Sequence, residues 1–254
     1  MATRLYFNGG TSAAFSIGAQ VGTLWEQNIS GAFTTKKLGT ATDGNSNTNH
    51  FTSGLGSGSN PCDICFQQFM SDPMPSGVLI SGTIRGNIVC REANSADDLY
   101  TQLGLYVVDS VGALVHTLLG GANSGGTEMN SPSANNRNLP RNGSTALSSY
   151  TTINATSRIV AEIGVRTEST RTTVGAYMYY GGGSGTDLPT GDGTDNSTTK
   201  SPWIEFSADI FTPPAGGGAR VQAAGFYGFH DHQDRELGGW KRGRSGLWTP
   251  RWED

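Results

Sequence analysis

The stretch Val78–Arg91, VLISGTIRGNIVCR, decides how the rest of the chain reads. Ile80, Gly82, Ile84, Gly86, Ile88 and Cys90 occupy alternate positions, with Ser81, Thr83, Arg85, Asn87 and Arg91 between them. A period of two belongs to a strand packed on one face and wet on the other. The glycines on the packed face leave room for bulky side chains from a facing sheet.

The same alternation recurs further along. Gln102–Val108 places Leu103, Leu105 and Val107 on one side, and Asp109-Ser110-Val111-Gly112 turns the chain into 113–119, which predicts a hairpin. Ser157–Arg166 buries Ile159, Ala161, Ile163 and Val165, and Thr172–Tyr180 buries Val174, Ala176, Met178 and Tyr180. Trp203–Phe211 aligns Ile204, Phe206, Ala208 and Ile210. No segment sustains a 3.6-residue period, and the best helical candidate is one turn at Asn94–Leu99 with Ser95 as its cap. About eight short strands with long connections predict an all-β fold, an antiparallel β-sandwich of jelly-roll type. The absence of a fixed repeat argues against a propeller or solenoid.

The flanks read differently. Residues 1–60 hold a short strand at Thr3–Phe7, a thinly apolar stretch to Leu24 and a polar run to Asn60, which predicts an extended N-terminal arm. The sandwich then occupies 61–212. Within it, 120–142 is too long for a plain turn and reads as a functional or partner-ordered loop. After Pro213-Pro214-Ala215-Gly216-Gly217-Gly218 the chain loses its strand period, and 213–254 reads as an extended C-terminal arm.

Composition narrows the classes. Glycine supplies 37 of 254 residues, about twice its usual share of roughly 7%. Charged residues make up 15%, against a usual figure of about 25%. A net charge of −4 is too small for a charge-driven disordered chain and carries the wrong sign for a phosphate-binding domain, so nucleic acid is not expected as a partner. No run of about 18 apolar residues exists, so no membrane partner is expected. The opening MATRLYFNGG lacks a secretory apolar run, which predicts synthesis and assembly in a cytoplasm.

Residues with possible chemistry are scattered. P-loop, G-x-S-x-G, H-E-x-x-H and dinucleotide motifs are missing. Glu162, Glu205 and Asp97-Asp98 could supply a glycosidase pair, but carboxylates on the outer face of a strand are usually solvated, and no catalytic residue is expected. Cys62-x-x-Cys65 with Cys90 could bind zinc if His50 or His116 joined in space; buried thiols explain them better. Asp187, Asp192 and Asp195 carry the oxygen ligands calcium favours without EF-hand spacing, and His230-Asp231-His232 is a lone H-x-H. No metal or other cofactor is therefore expected.

The tail carries Trp240, Trp248 and Trp252, three of the five tryptophans, interleaved with Lys241, Arg242, Arg244 and Arg251 and preceded by Phe226, Tyr227 and Phe229. Trp and Arg anchor interfaces more often than other residues do, and these ten residues form the expected partner-docking set. Stacking on sugar rings, or folding back on its own sandwich, are the other roles open to such a tail.

The opening MATRLYF, the strands Ser81-Gly82-Thr83-Ile84-Arg85-Gly86 and Ile159-Val160-Ala161-Glu162-Ile163-Gly164, and the closing Trp203-Ile204-Glu205-Phe206-Ser207 resemble structural proteins of tailed bacteriophages. The likeness spans most of 1–211, and the tail from Thr212 departs from it. The resemblance implies a jelly-roll virion protein without catalytic residues and with a homotrimeric habit. Together with the tail it suggests a capsid decoration, or cement, protein on the outer shell, whose partners are the major capsid protein and copies of itself. A receptor- or carbohydrate-binding module of a tail fibre or baseplate is the alternative, and a glycan-cleaving enzyme the remaining one.

Overall fold

The computed structural model describes residues 2–29, 32–55, 61–120, 125–182, 185–212, 240–242 and 248–250, with 46–55 and the last two segments described by backbone pairing. The chain divides into two units, Met1–Ala215 and Gly216–Asp254. No helix occurs among the described residues.

The described residues of the first unit form fifteen strands. Four come from the N-terminal segment: β1 (Thr3–Ser12), β2 (Gln27–Asn28), β3 (Lys36–Gly39) and β4 (Ser46–Leu55). Then follow β5 (Cys62–Ser71), β6 (Leu79–Ile80), β7 (Thr83–Glu92), β8 (Leu99–Val108) and β9 (Leu114–Leu119). The rest are β10 (Asn135–Asn138), β11 (Thr145–Ala146), β12 (Tyr150–Thr151), β13 (Arg158–Thr167), β14 (Val174–Gly181) and β15 (Trp203–Phe206). Pairing runs β4-β14-β7-β15-β1-β3-β5-β13-β8-β9, and β1 joins the two halves of this path. β1 pairs with β15 through Thr3–Tyr6 and with β3 through Tyr6–Phe7, then shifts register before Ser12 meets Lys36.

The two halves face each other as a β-sandwich. Inward positions of β7, β8, β13, β14 and β15 predicted from alternation, among them Ile84, Ile88, Leu103, Leu105, Ile159, Ala161, Val174, Met178, Ile204 and Phe206, all enter one buried cluster. Phe69 of β5 bridges the layers, meeting Phe7 edge-on at 4.9 Å and Tyr180 of β14 at 5.3 Å. The 102–119 hairpin forms as expected, with Asp109 Oδ1 accepting from Val111 N and Ala113 N.

The N-terminal segment is not an arm. Leu5, Phe7, Trp25 and Leu38 are buried in the shared core, and β1 lies between two strands of the sandwich. β2 and β3 also add to β5 in parallel, where an all-antiparallel pattern was expected. The turn at 94–99 is no helix; Asn94, not Ser95, organises it, its Oδ1 accepting from Ala96 N at 3.0 Å and its carbonyl from Asp97 N at 3.0 Å.

The 120–142 stretch finds its partner within the chain. Asn87 pairs with both Trp203 and Asn138, and Cys90 with both Met178 and Asn135. A strand has two edges, so β10 covers the edge of β7 that β14 and β15 leave open. Buried Arg137 anchors this strap, donating to the carbonyls of Glu128, Asn136 and Gly193 and to Asn130 Oδ1.

The second layer departs most from expectation. β5, β8 and β13 are buried on both faces, because residues 13–25 run across their outer side. Ala13, Phe15, Ile17 and Val21 pack on Met70, Tyr106, Val108 and Val160. Glu162, expected to be solvated, is 0% exposed. Its Oε1 accepts from Val21 N at 2.8 Å and Gln68 Nε2 at 2.9 Å, and its Oε2 from Trp25 Nε1 at 2.7 Å. Gln68 Nε2 also donates to Ala19 O, and Thr35 Oγ1 donates to Gln68 Oε1. Burial raises the Glu162 carboxyl above its ordinary range, and the three donors pull it back.

Glycines make the close approach possible. A Cβ at Gly164 would overlap the Ile64 carbonyl and crowd the Trp25 ring, and one at Gly22 would enter the Tyr106 ring. Gly164→Ala should therefore lower unfolding stability by about 1–3 kcal/mol, the usual range for overpacking. Glu162→Gln turns an NH₂ toward groups that themselves donate, and a loss of about 1–3 kcal/mol is expected. Urea unfolding of both variants checks these values.

Candidate functional site

The second unit contains a hairpin of β16 (Trp240–Arg242) and β17 (Trp248–Pro250). Trp240 pairs with Pro250, Lys241 with Thr249 and Arg242 with Trp248. The two-residue period places Trp240, Arg242, Trp248 and Pro250 on one face of the ribbon and Lys241 with Thr249 on the other. Of the expected docking residues, Trp240, Lys241, Arg242 and Trp248 belong to this ribbon. Phe226, Tyr227, Phe229, Arg244, Arg251 and Trp252 lie outside the described residues, as does the H-x-H at 230–232.

On the sandwich, a cleft of about 700 Å³ opens against β7 and β15. Arg85 and Glu205 line it together with Thr83, Asn138, Ser144, Thr190 and Trp203. Strand register builds its charged row: Arg4 pairs with Glu205, and Glu205 pairs with Arg85. Arg85 donates from Nε and Nη2 to Glu205 Oε1, and Arg4 from Nε and Nη2 to Glu205 Oε2, at 2.7 Å for the last. Arg4 Nη1 also meets Asp187, to which Tyr6 donates, and the guanidinium lies 3.9 Å from the centre of the Trp203 ring. Trp203 Nε1 in turn donates to Leu188 O at 2.9 Å.

This row holds structure in place. Both Glu205 oxygens are taken by arginines, and Glu162 is sealed under the 13–25 segment, so the carboxylates considered for acid–base work are committed separately. Burial would raise the Glu205 carboxyl, but the Arg85 and Arg4 bonds outweigh it and hold the group below its ordinary value. The calcium reading of the 187–195 loop meets a similar arrangement. Asp187 serves Arg4 and Tyr6, Asp192 Oδ1 accepts from Asn138 N, and Asp195 accepts from Ser197 N and pairs with Lys200. No group of three or more His, Cys, Asp or Glu among the described residues is placed to hold a metal.

The three thiols are free and buried. Burial pushes Cys62 and Cys90 up to about 12 and Cys65 well above its ordinary value, which leaves them protonated and unreactive at neutral pH. His116, one of the imagined fourth ligands, stacks on Tyr150 at 5.0 Å and contacts Ser148 Oγ.

No family model and no curated protein matches the chain. Among solved structures it is similar to a chain of the infectious bursal disease virus Gx strain, with 14% identity over 65% of this chain and 36% of that one, at a TM-score of 0.26. It is also similar to a CocE/NonD family hydrolase from Staphylococcus aureus, with 9% identity over 84% of this chain and 35% of that one, at a TM-score of 0.26. The chain thus spans little more than a third of either, and likenesses this shallow carry no argument about function.

The charged row predicts acid sensitivity. Because the folded Glu205 carboxyl is held below its unfolded value, its contribution is present above about pH 4.5 and lost as pH falls through the folded value. Glu205→Gln should lower stability at neutral pH and flatten the acid limb of the stability–pH curve, read by urea unfolding across that range.

Proposed function

We propose that the chain is a virion structural protein, and specifically a decoration protein that sits on the outer surface of a capsid and ties neighbouring capsomers together. The sandwich supplies a rigid body whose charged row of Arg4, Glu205 and Arg85 is spent on its own strands. The second unit supplies adhesion. One observation carries this reading: Trp240, Arg242 and Trp248 share a face of a ribbon with only three residues in each strand. A two-stranded hairpin is marginal in water by itself. Each tryptophan also offers roughly 150–250 Å² of aromatic surface for burial. A surface on the major capsid protein, or on a neighbouring copy in a trimer, covers that face.

Such binding stabilises the shell by mass action, since a ligand of the assembled state alone favours assembly. Its energy concentrates in a few aromatic and arginine anchors. The resemblance to tailed-phage virion proteins supports a virion structural role for the sandwich, and the tail carries the decoration reading.

The test uses shells lacking this protein. Deletion of 213–254, and separately Trp240→Ala with Trp248→Ala, should reduce loading by at least about tenfold, the order expected when hot-spot anchors are lost. The gain in shell thermal tolerance should vanish while the sandwich itself melts as before. Equal loading and equal tolerance without the tail would show that the second unit is not the docking element.

A further inference from the structure

β7 ends in Glu92, which is 2% exposed. Its Oε2 accepts a long bond, 3.4 Å, from Leu99 N. No ion pair reaches it among the described residues. What surrounds it is acidic: Glu128 from the strap that leads into β10, and Asp97 and Asp98 from the turn joining β7 to β8. The nearby cations are engaged elsewhere. Arg171 pairs with Asp97 Oδ1 at 3.3 Å, and Arg137 is spent on carbonyls and Asn130.

The two sides of this cluster are not held equally. The 97–98 turn is pinned from behind: Asp97 Oδ2 accepts from Gly175 N, Asp97 O from Thr167 Oγ1, and Asp98 O from Glu168 N. Asp98 is fixed there with a φ of 46°, a conformation few non-glycine residues adopt. The strap, exposed at 125–127 and 130, is held at this corner by the buried Met129 side chain and two backbone bonds, Met129 N to Leu99 O at 2.8 Å and Glu92 N to Asn130 O at 3.0 Å. Repulsion inside the cluster is therefore relieved by movement of the strap and not of the turn.

We propose that this corner is a pH-operated latch: with Glu92 protonated the strap lies closed along β7, and ionisation of Glu92 against Glu128, Asp97 and Asp98 loosens it. Burial, then the neighbouring Glu128, push the Glu92 carboxyl up to about 7, and burial raises Glu128 as well. The sign follows directly. The folded state holds this proton more tightly than the unfolded chain, so the stabilisation is full below about pH 4.5 and is lost as pH rises through about 7. Opening frees the end of β7 at Glu92, just beyond the stretch from Asn87 to Cys90 that β10 pairs with. A sheet edge so exposed is open to pairing with another strand.

Amide hydrogen exchange on the full chain at about pH 6 and about pH 8, corrected for intrinsic rates, tests the latch. Protection of Met129 N–H and Glu92 N–H should fall by about tenfold or more, the effect of one unit of proton linkage. Gly175 N–H and Glu168 N–H, on the pinned side, should hold. In Glu92→Gln the difference between the two conditions should disappear. A drop that persists in Glu92→Gln, one that spreads evenly over the sandwich, or none at all would overturn the proposal. A carbon-detected titration of Glu92 in the unaltered protein gives a second reading, and a midpoint in the ordinary carboxylate range would overturn it equally.

Discussion

A carboxylate without a counter-ion holds the second layer together. Glu162 sits on the face of β13 that a sandwich normally leaves wet, and it is roofed by residues 13–25. Moving an isolated charge out of water costs far more than one folded chain can spare, so it persists only where donors replace the lost water. Here one donor comes from the roof's backbone, one from the roof's indole and one from Gln68 on the neighbouring strand. The roofing segment gains as much as the acid does. Its apolar side chains pack on the sheet, but a coil laid there must also find partners for its own peptide groups. Val21 N and Ala19 O find theirs in Glu162 and Gln68.

With that anchor in place the other features of the layer follow. Gly22 and Gly104 accommodate the Tyr106 ring, and Gly164 lets the Ile64 backbone and Trp25 approach. β5, β8 and β13 become buried on both faces, unlike the outer strands of a simple sandwich. The first layer solves its outer face by another route. Arg4, Glu205 and Arg85 stand side by side on three adjacent strands, each strand supplying one charge to a row that alternates in sign. Cross-strand opposite charges of this kind stabilise a sheet while staying partly hydrated.

The legible part of the fold was the part with a period. Ile84 with Ile88, Leu103 with Leu105, Ile159 with Ile163, and Ile204 with Phe206 mark their strands because apolar burial repeats every two residues, and all of them lie in the common core. The N-terminal segment is harder to read, because Ala13, Phe15, Ile17 and Val21 pack on the outer side of the second layer, a face that a sandwich normally leaves wet, and their partners Met70, Tyr106, Val108 and Val160 are distant in sequence. The strap at 125–138 was hidden likewise: β10 is Asn-Asn-Arg-Asn, which reads as loop, yet its backbone completes an edge of β7. The ribbon at 240–250 has strands of three residues, too short for alternation to register. At the cleft, Glu205 stood out as a strand carboxylate, but its two arginine partners are distant in sequence and became visible only with strand order and register.

Three glutamates on strands thus hold three different situations. Glu205 is stabilised as an anion by two guanidinium groups, Glu162 is buried among neutral donors, and Glu92 is hemmed in by its own kind. Residue type is the same, so neighbours across the fold decide the chemistry. The first two are locked into the body so fully that neither has a lone pair aimed outward for a substrate.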